Sequence, residues 1–166
     1  MKTFVKLAFL FAISIFISSC SSSKPAKQGR QGKIKSYDIA SGTTRDDLVG
    51  QSIIILSGYS YTMDYVNSSS NHGALQTHWR YSRQEFKTED ASSEIQLRDR
   101  AVIHLTARTV QGREKVKSRI TFELNMRASG DDKWTRITPG SEFENEYLQI
   151  VDQIQGRLRR LGYIFN

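Results

Sequence analysis

Few side chains in this sequence are equipped for chemistry. It has three histidines, His72, His78 and His104, and one cysteine, Cys20. His72 and His78 flank a short extended segment at no standard ligand spacing, and no second cysteine joins them, so they form no zinc set. Asp64 and His78 belong to the polar sides of successive extended segments and can approach each other across a hairpin. A hydrolytic arrangement would also require an activated hydroxyl, and no G-x-S-x-G turn occurs. P-loop, dinucleotide-binding and H-E-x-x-H patterns are absent as well. The pairs Asp46-Asp47 and Asp131-Asp132 sit at a helix start and in a turn, where capping accounts for them better than acid–base work. The sequence points away from catalysis and calls for no cofactor and no metal.

Cys20 has a different context. Met1 to Lys6 is basic, and Leu7 to Ile17 is an apolar or small-residue run. That run is shorter than the ~20 residues a spanning helix needs, and it has the form of a secretory leader. Ile17-Ser18-Ser19 then precedes the cysteine. This resembles the bacterial lipobox, in which the cysteine sulfur receives a diacylglycerol, the leader is cut and the new amino terminus is acylated. A lone exported thiol with no partner for a disulfide fits that reading. Several acyl chains hold a protein on a bilayer where one would not. Ser21, rather than Asp, follows the cysteine, which by the enteric sorting rule implies the outer membrane, facing the periplasm. The outer leaflet of the inner membrane is the alternative. The expected organisation is a signal peptide over 1–19, a lipid anchor with a flexible basic tether over 20–42, and a single domain over 43–166.

The formal charge of +7 lies before Ser36. Lys2 and Lys6 are in the leader, and Lys24, Lys27, Arg30, Lys33 and Lys35 follow the cysteine. The remaining 17 basic residues, all from Ser36 onward, are matched by 17 acidic ones. Nucleic acid is therefore not the implied partner. The tether reads either as a plain solvated spacer or as a polybasic stretch lying along anionic headgroups.

Within the domain, Thr43 or Thr44 caps a helix whose first turn holds Asp46 and Asp47 and which Gly58 ends. Alternation predicts strands over Tyr59–Val66 and Ala74–Tyr81, separated by the turn residues 67–73. Ser82 to Arg98 is polar and reads as a long connection. Arg100 to Val110 and Val116 to Met126 alternate strictly and make a hairpin with one buried and one wet face. Ser141 and Glu144 form a capping box, opening a helix with an apolar stripe from Phe143 to Leu161 that Gly162 stops. Trp79 shares the parity of Leu75 and Tyr81 and reads as a core anchor; Trp134 suits either core or interface. These elements predict an α+β two-layer sandwich: an antiparallel sheet of about four strands packed against an N-terminal helix and a long C-terminal helix.

The segments "GALQTHW" (73–79), "RDRAVIHLTA" (98–107) and "KVKSRITFEL" (115–124), with Trp134 and the closing amphipathic helix, resemble a known pattern. They are similar to the helix-grip domain of the lipoprotein C subunit of the β-barrel assembly machinery and related small outer-membrane lipoproteins. That resemblance implies a helix-grip-like fold and a non-catalytic binding or scaffold role in envelope assembly. It departs in two ways: that subunit carries two such domains, and the segment 82–98 is longer here. On the wet face of the hairpin, His104, Arg108, Lys117 and Arg119 form a basic strip, which His78 and Arg80 join if the preceding strand is adjacent. The strip is either ordinary solvated surface or a site for an acidic partner: a protein, the anionic parts of lipopolysaccharide, or peptidoglycan. The alternatives to a scaffold are a cell-wall or lipid-processing enzyme and a dimerising structural lipoprotein.

Overall fold

The computed structural model describes residues 32–69, 71–88, 91–128 and 130–163, with backbone alone at 68, 84–88 and 91–93. The expected signal peptide, Cys20 and the tether as far as residue 31 lie outside the described residues. In chain order the elements are β1 (Lys35–Thr43), α1 (Arg45–Gly58), β2 (Met63–Ser68), β3 (His72–Thr77), β4 (Arg80–Thr88), β5 (Ala91–Val110), β6 (Arg113–Ala128), β7 (Thr135–Arg136) and α2 (Ser141–Arg160). The strands form one antiparallel sheet in the order β1-β6-β5-β3-β2, with β4 also on β5 and β7 also on β6.

Seven strands replace the expected four, which corrects the four-stranded sandwich predicted from the sequence. Three segments account for the difference. Lys35–Thr43, assigned to the tether, is a strand that pairs with β6 from Lys35↔Phe122 to Thr43↔Val116. Two register shifts interrupt its alternation, and its basic start resembles the linker before it. The ordered domain thus begins before residue 43. The polar segment 82–98 is no loop. It supplies most of β4 and the first part of β5, paired from Arg80↔Asp99 to Thr88↔Ala91. β7 is two residues long and lies in the short extended piece between Trp134 and Ile137, which the count of four strands leaves out.

β5 and β6 are the spine. Their hairpin closes through Gln111 and Gly112, with φ of 51° and 75°. Two positive-φ residues are what a two-residue type I′ turn requires, because its twist matches that of the strands. Leu97, Ala101, Ile103, Leu105 and Ala107 of β5 and Val116, Ile120, Phe122 and Leu124 of β6 point inward and are buried. Both helices cover that face. Leu48, Ile55 and Leu56 of α1 and Tyr147, Ile150, Ile154 and Leu158 of α2 complete the core. Each such aliphatic side chain contributes roughly 1.5–3 kcal/mol on burial. Phe122 stacks on Tyr147 with centroids 4.1 Å apart and planes 2° from parallel, clamping α2 to the sheet.

The caps divide. Thr44 caps α1 as its chemistry suggests, accepting from the Asp47 amide and donating to its carboxylate. The expected capping box at Ser141 does not form. Gly140 occupies the N-cap without a side-chain bond. Glu144 instead reaches Lys35 Nζ at 2.7 Å and ties α2 to β1.

Phe122→Ala should lower unfolding free energy by about 3–5 kcal/mol in urea titration, since it empties the centre of the core and removes a stacked ring. Ser36→Ala on the exposed face of β1 should change it by less than ~0.5 kcal/mol.

Candidate functional site

One inserted residue arranges the chemistry of the sheet. β3 pairs with β5 as far as Gln76↔Val102, and β4 resumes at Arg80↔Asp99. Four residues on one side thus span three on the other, a β-bulge. The buried Thr77 hydroxyl accepts the Ala101 amide at 3.0 Å, and the His78 amide turns to the Thr62 carbonyl at 2.8 Å. A one-residue slip exchanges the two faces of a strand. Beyond the bulge, Arg80 points inward and Trp79 and Tyr81 point outward, the reverse of the parity read from the sequence.

Arg80 therefore leaves the expected basic strip. Its Nε and Nη2 bind the two oxygens of Asp99 at 3.0 and 2.9 Å, a bidentate fork. Nη1 donates to the Tyr59 carbonyl at 2.9 Å, and Glu146 of α2 lies 2.6 Å from Nη2. The buried hydroxyls of Tyr61 and Tyr147 both donate to Asp99. The Tyr61 ring lies 4.3 Å beneath the guanidinium. Burial first, and then the negative charge of Asp99, push both phenols well above the ordinary tyrosine value of 10.0, so both stay protonated as donors. This network joins sheet and helices and turns no reactive group toward solvent.

His78 is also separated from the strip. It lies at the bulge, 3.7 Å from Asp64, and the Gln76 amide donates to the same aspartate at 2.9 Å. Both members are well exposed, and among the described residues no hydroxyl is hydrogen-bonded to His78. The sequence reading brought these two residues together correctly, but as an open polar edge.

The other four expected residues do converge. His104 lies opposite Arg119, and the next outward row, Thr106 opposite Lys117, brings Arg108 and Lys115 after it. All five cationic or titratable side chains are exposed. Asp38 on β1 pairs with Arg119 at 3.0 Å. Asp38, His104, Thr106, Lys117, Ser118 and Arg119 line an open depression of about 390 Å³.

The bulge also creates a feature the sequence reading missed. Trp79 lies under Arg100 at 4.5 Å and Arg98 at 4.4 Å; Trp134 lies under Arg98 at 4.2 Å and Arg127 at 4.8 Å. The contact order is Arg100, Trp79, Arg98, Trp134, Arg127, with Tyr81 edge-on to Trp134 at 6.0 Å. Trp79 is thus half-buried on the outer face and no core anchor. Arg100 binds Glu123 at 2.8 Å, Arg136 lies 3.8 Å from the same carboxylate, and Arg127 meets the neutral Gln96. Arg98 has no ion pair or hydrogen bond among the described residues, and its Nε is buried. Arginines at 98, 100 and 127 on outward positions of the hairpin were the available signal.

No family model and no curated protein matches this chain. Among solved structures, the crystal structure of Ara h 8.0201 aligns with 75% of this chain and 97% of that one, at 10% identity and a TM-score of 0.24. That degree of likeness assigns neither a family nor a function.

Asp99→Asn should cost about 3–5 kcal/mol, because it removes the charge that a buried guanidinium and two buried phenols share, whereas Arg80→Met and Asp99→Leu combined with Tyr61→Phe and Tyr147→Phe should recover most of the loss. Chemical denaturation of the two variants is the check. The tyrosine contribution to stability should be complete below pH 10, where unfolded tyrosine is neutral, and be lost as pH rises above it, since the unfolded chain then ionises first. Tyr61→Phe should flatten that alkaline decline.

Proposed function

We propose that this chain is an envelope lipoprotein, held on the periplasmic side of the outer membrane through lipid on Cys20, whose domain binds an acidic partner and performs no reaction. One observation carries the binding reading: like charges stand face to face across β5 and β6, with Arg108 directly opposite Lys115, and Lys117 and Arg119 follow on the same outward face. Like charges directly opposed on neighbouring strands destabilise a sheet. Among the described residues Asp38 is the one carboxylate ion-paired to this strip. A surface that costs stability while folded and empty is accounted for by a ligand that supplies the missing negative charge.

The leader and lipobox support the location, and the resemblance of the hairpin and tryptophan segments to small outer-membrane lipoproteins supports a role in envelope assembly. No described helix is long and apolar enough to cross a membrane. The sheet edges divide over the dimerising alternative. β1 carries two register shifts and β2 is six residues with another, and short or bulged edges are poor templates for strand addition, whereas β4 is a nine-residue edge paired to β5 alone among the described residues, without a register shift.

In intact cells, cross-linking followed by mass spectrometry should recover a defined neighbour with the native chain. Arg108→Glu combined with Arg119→Glu should abolish that recovery without releasing the protein from membranes. Cys20→Ser should do the reverse first, moving the protein into the soluble fraction. Unchanged recovery in the double variant would reject the strip as the contact surface.

A further inference from the structure

We propose that the arginine–tryptophan ladder docks the domain onto the anionic phosphate headgroups of the bilayer that holds its anchor, an inference that rests on the lipid anchor proposed above. Arg98 carries the argument. Its guanidinium lies against the rings of Trp79 and Trp134, at 4.4 and 4.2 Å, so the plane of its donor fork is fixed before any ligand arrives. A fork held in this way loses little side-chain freedom on binding an oxyanion, and guanidinium pairs with phosphate bidentately. Yet no carboxylate of the described residues takes it up, and its buried Nε lacks an acceptor. Of the arginines at 98, 100, 127 and 136, Arg100 and Arg136 alone reach a carboxylate among the described residues, and it is the same one, Glu123.

The position of the exit toward the anchor selects the source of the anion. The Gly32 amide donates to the Arg136 carbonyl at 3.2 Å, and the Lys33 amide donates to the Thr138 hydroxyl at 3.1 Å. A Cβ on residue 32 would stand 2.1 Å from the Ile137 carbonyl carbon, so only glycine lets the chain lie there. Arg136 is opposite Asn125, and Asn125 is opposite Arg98. The chain therefore leaves the domain about three strand spacings, ~14 Å, from the centre of the ladder. The twelve residues from there back to Cys20 span at most about 40 Å. The ladder lies at the leashed end of the domain, and its residue types, Trp, Tyr and Arg, are those that settle at the headgroup level. Tyr81, 65% exposed at the ladder's side, adds a phenol to that surface. Trp79 and Trp134 each already carry two guanidinium groups, which disfavours a stacked sugar ring as occupant.

Trp79 and Trp134 are the two tryptophans of the chain, so its indole emission reports on the ladder alone. The full lipidated chain is reconstituted in vesicles of phosphatidylcholine, with or without phosphatidylglycerol, containing a lipid brominated close to the headgroup. Quenching should be at least about twofold deeper in the anionic vesicles and should be reversed by high salt. It should fall to the neutral-vesicle level in Arg98→Gln combined with Arg127→Gln, while flotation with vesicles is unchanged. Flotation without quenching, or equal quenching in both compositions, overturns the docking and leaves the anchor standing. Failure to float overturns both. An emission shift with polyglutamate in solution and none on anionic vesicles assigns the ladder to an acidic protein and overturns the lipid surface. Should the double variant lose its circular dichroism, the lipid and salt comparisons on the native chain decide the matter unaided.

Discussion

A carboxylate and a guanidinium enclosed between sheet and helices hold this domain together. Asp99 is 3% exposed, and burying its charge would be prohibitive without the fork of Arg80 and two phenolic donors around it. In return, Arg80 fastens the end of α1 through Tyr59, β5 through Asp99 and α2 through Glu146. Three elements that hydrophobic contact alone would let slide are fixed in one geometry. The bulge before Arg80 is what makes this possible. The same inserted residue that turns Arg80 inward turns Trp79 and Tyr81 outward, so the interior pair and the exterior ladder are two results of one backbone event.

Charge is distributed unevenly over a domain that is formally balanced. The outer face of β5 and β6 carries Arg98, Arg100, Arg108, Arg113, Lys115, Lys117, Arg119 and Arg127, against Glu94, Glu123 and, from β1, Asp38. Compensating acids gather in the first turns of the helices, where Asp46, Asp47, Glu142 and Glu144 also suit the helix dipoles. Net charge conceals this separation. The sheet's outer face is thus predominantly basic, while the helices carry both signs, with Arg157, Arg159 and Arg160 in the last turn of α2.

What could be read in advance follows from the range of each signal. The strict alternation of Ile103 to Ala107 and of Val116 to Leu124, the stripe along α2 and the Thr44 cap are local, and each appears in the structure where its residues place it. β1 escaped because bulges break its period and because its partner is far away in sequence. The β4 side of the first hairpin escaped because its polar composition gives no buried face to detect. The inversion at His78 and Trp79 depends on one residue more than the partner strand has, and no property of "QTHWRY" taken alone specifies that count. Arg80 was therefore placed on the wrong face, and the ladder was overlooked together with it. Ser141 and Glu144 have the spacing of a cap, but Glu144 pairs instead with Lys35, which is remote in sequence.

β1 closes the sheet at one edge, and among the described residues it pairs with β6 alone. The pairing of Asp38 with Arg119 spans 81 residues. However the chain is delivered, its first strand has nothing to bind until the hairpin near its far end has been made. Closure of a loop that long is entropically slow, and local structures such as the β5–β6 hairpin precede it. The N-terminal end is thus the last part of the sheet to be sewn in.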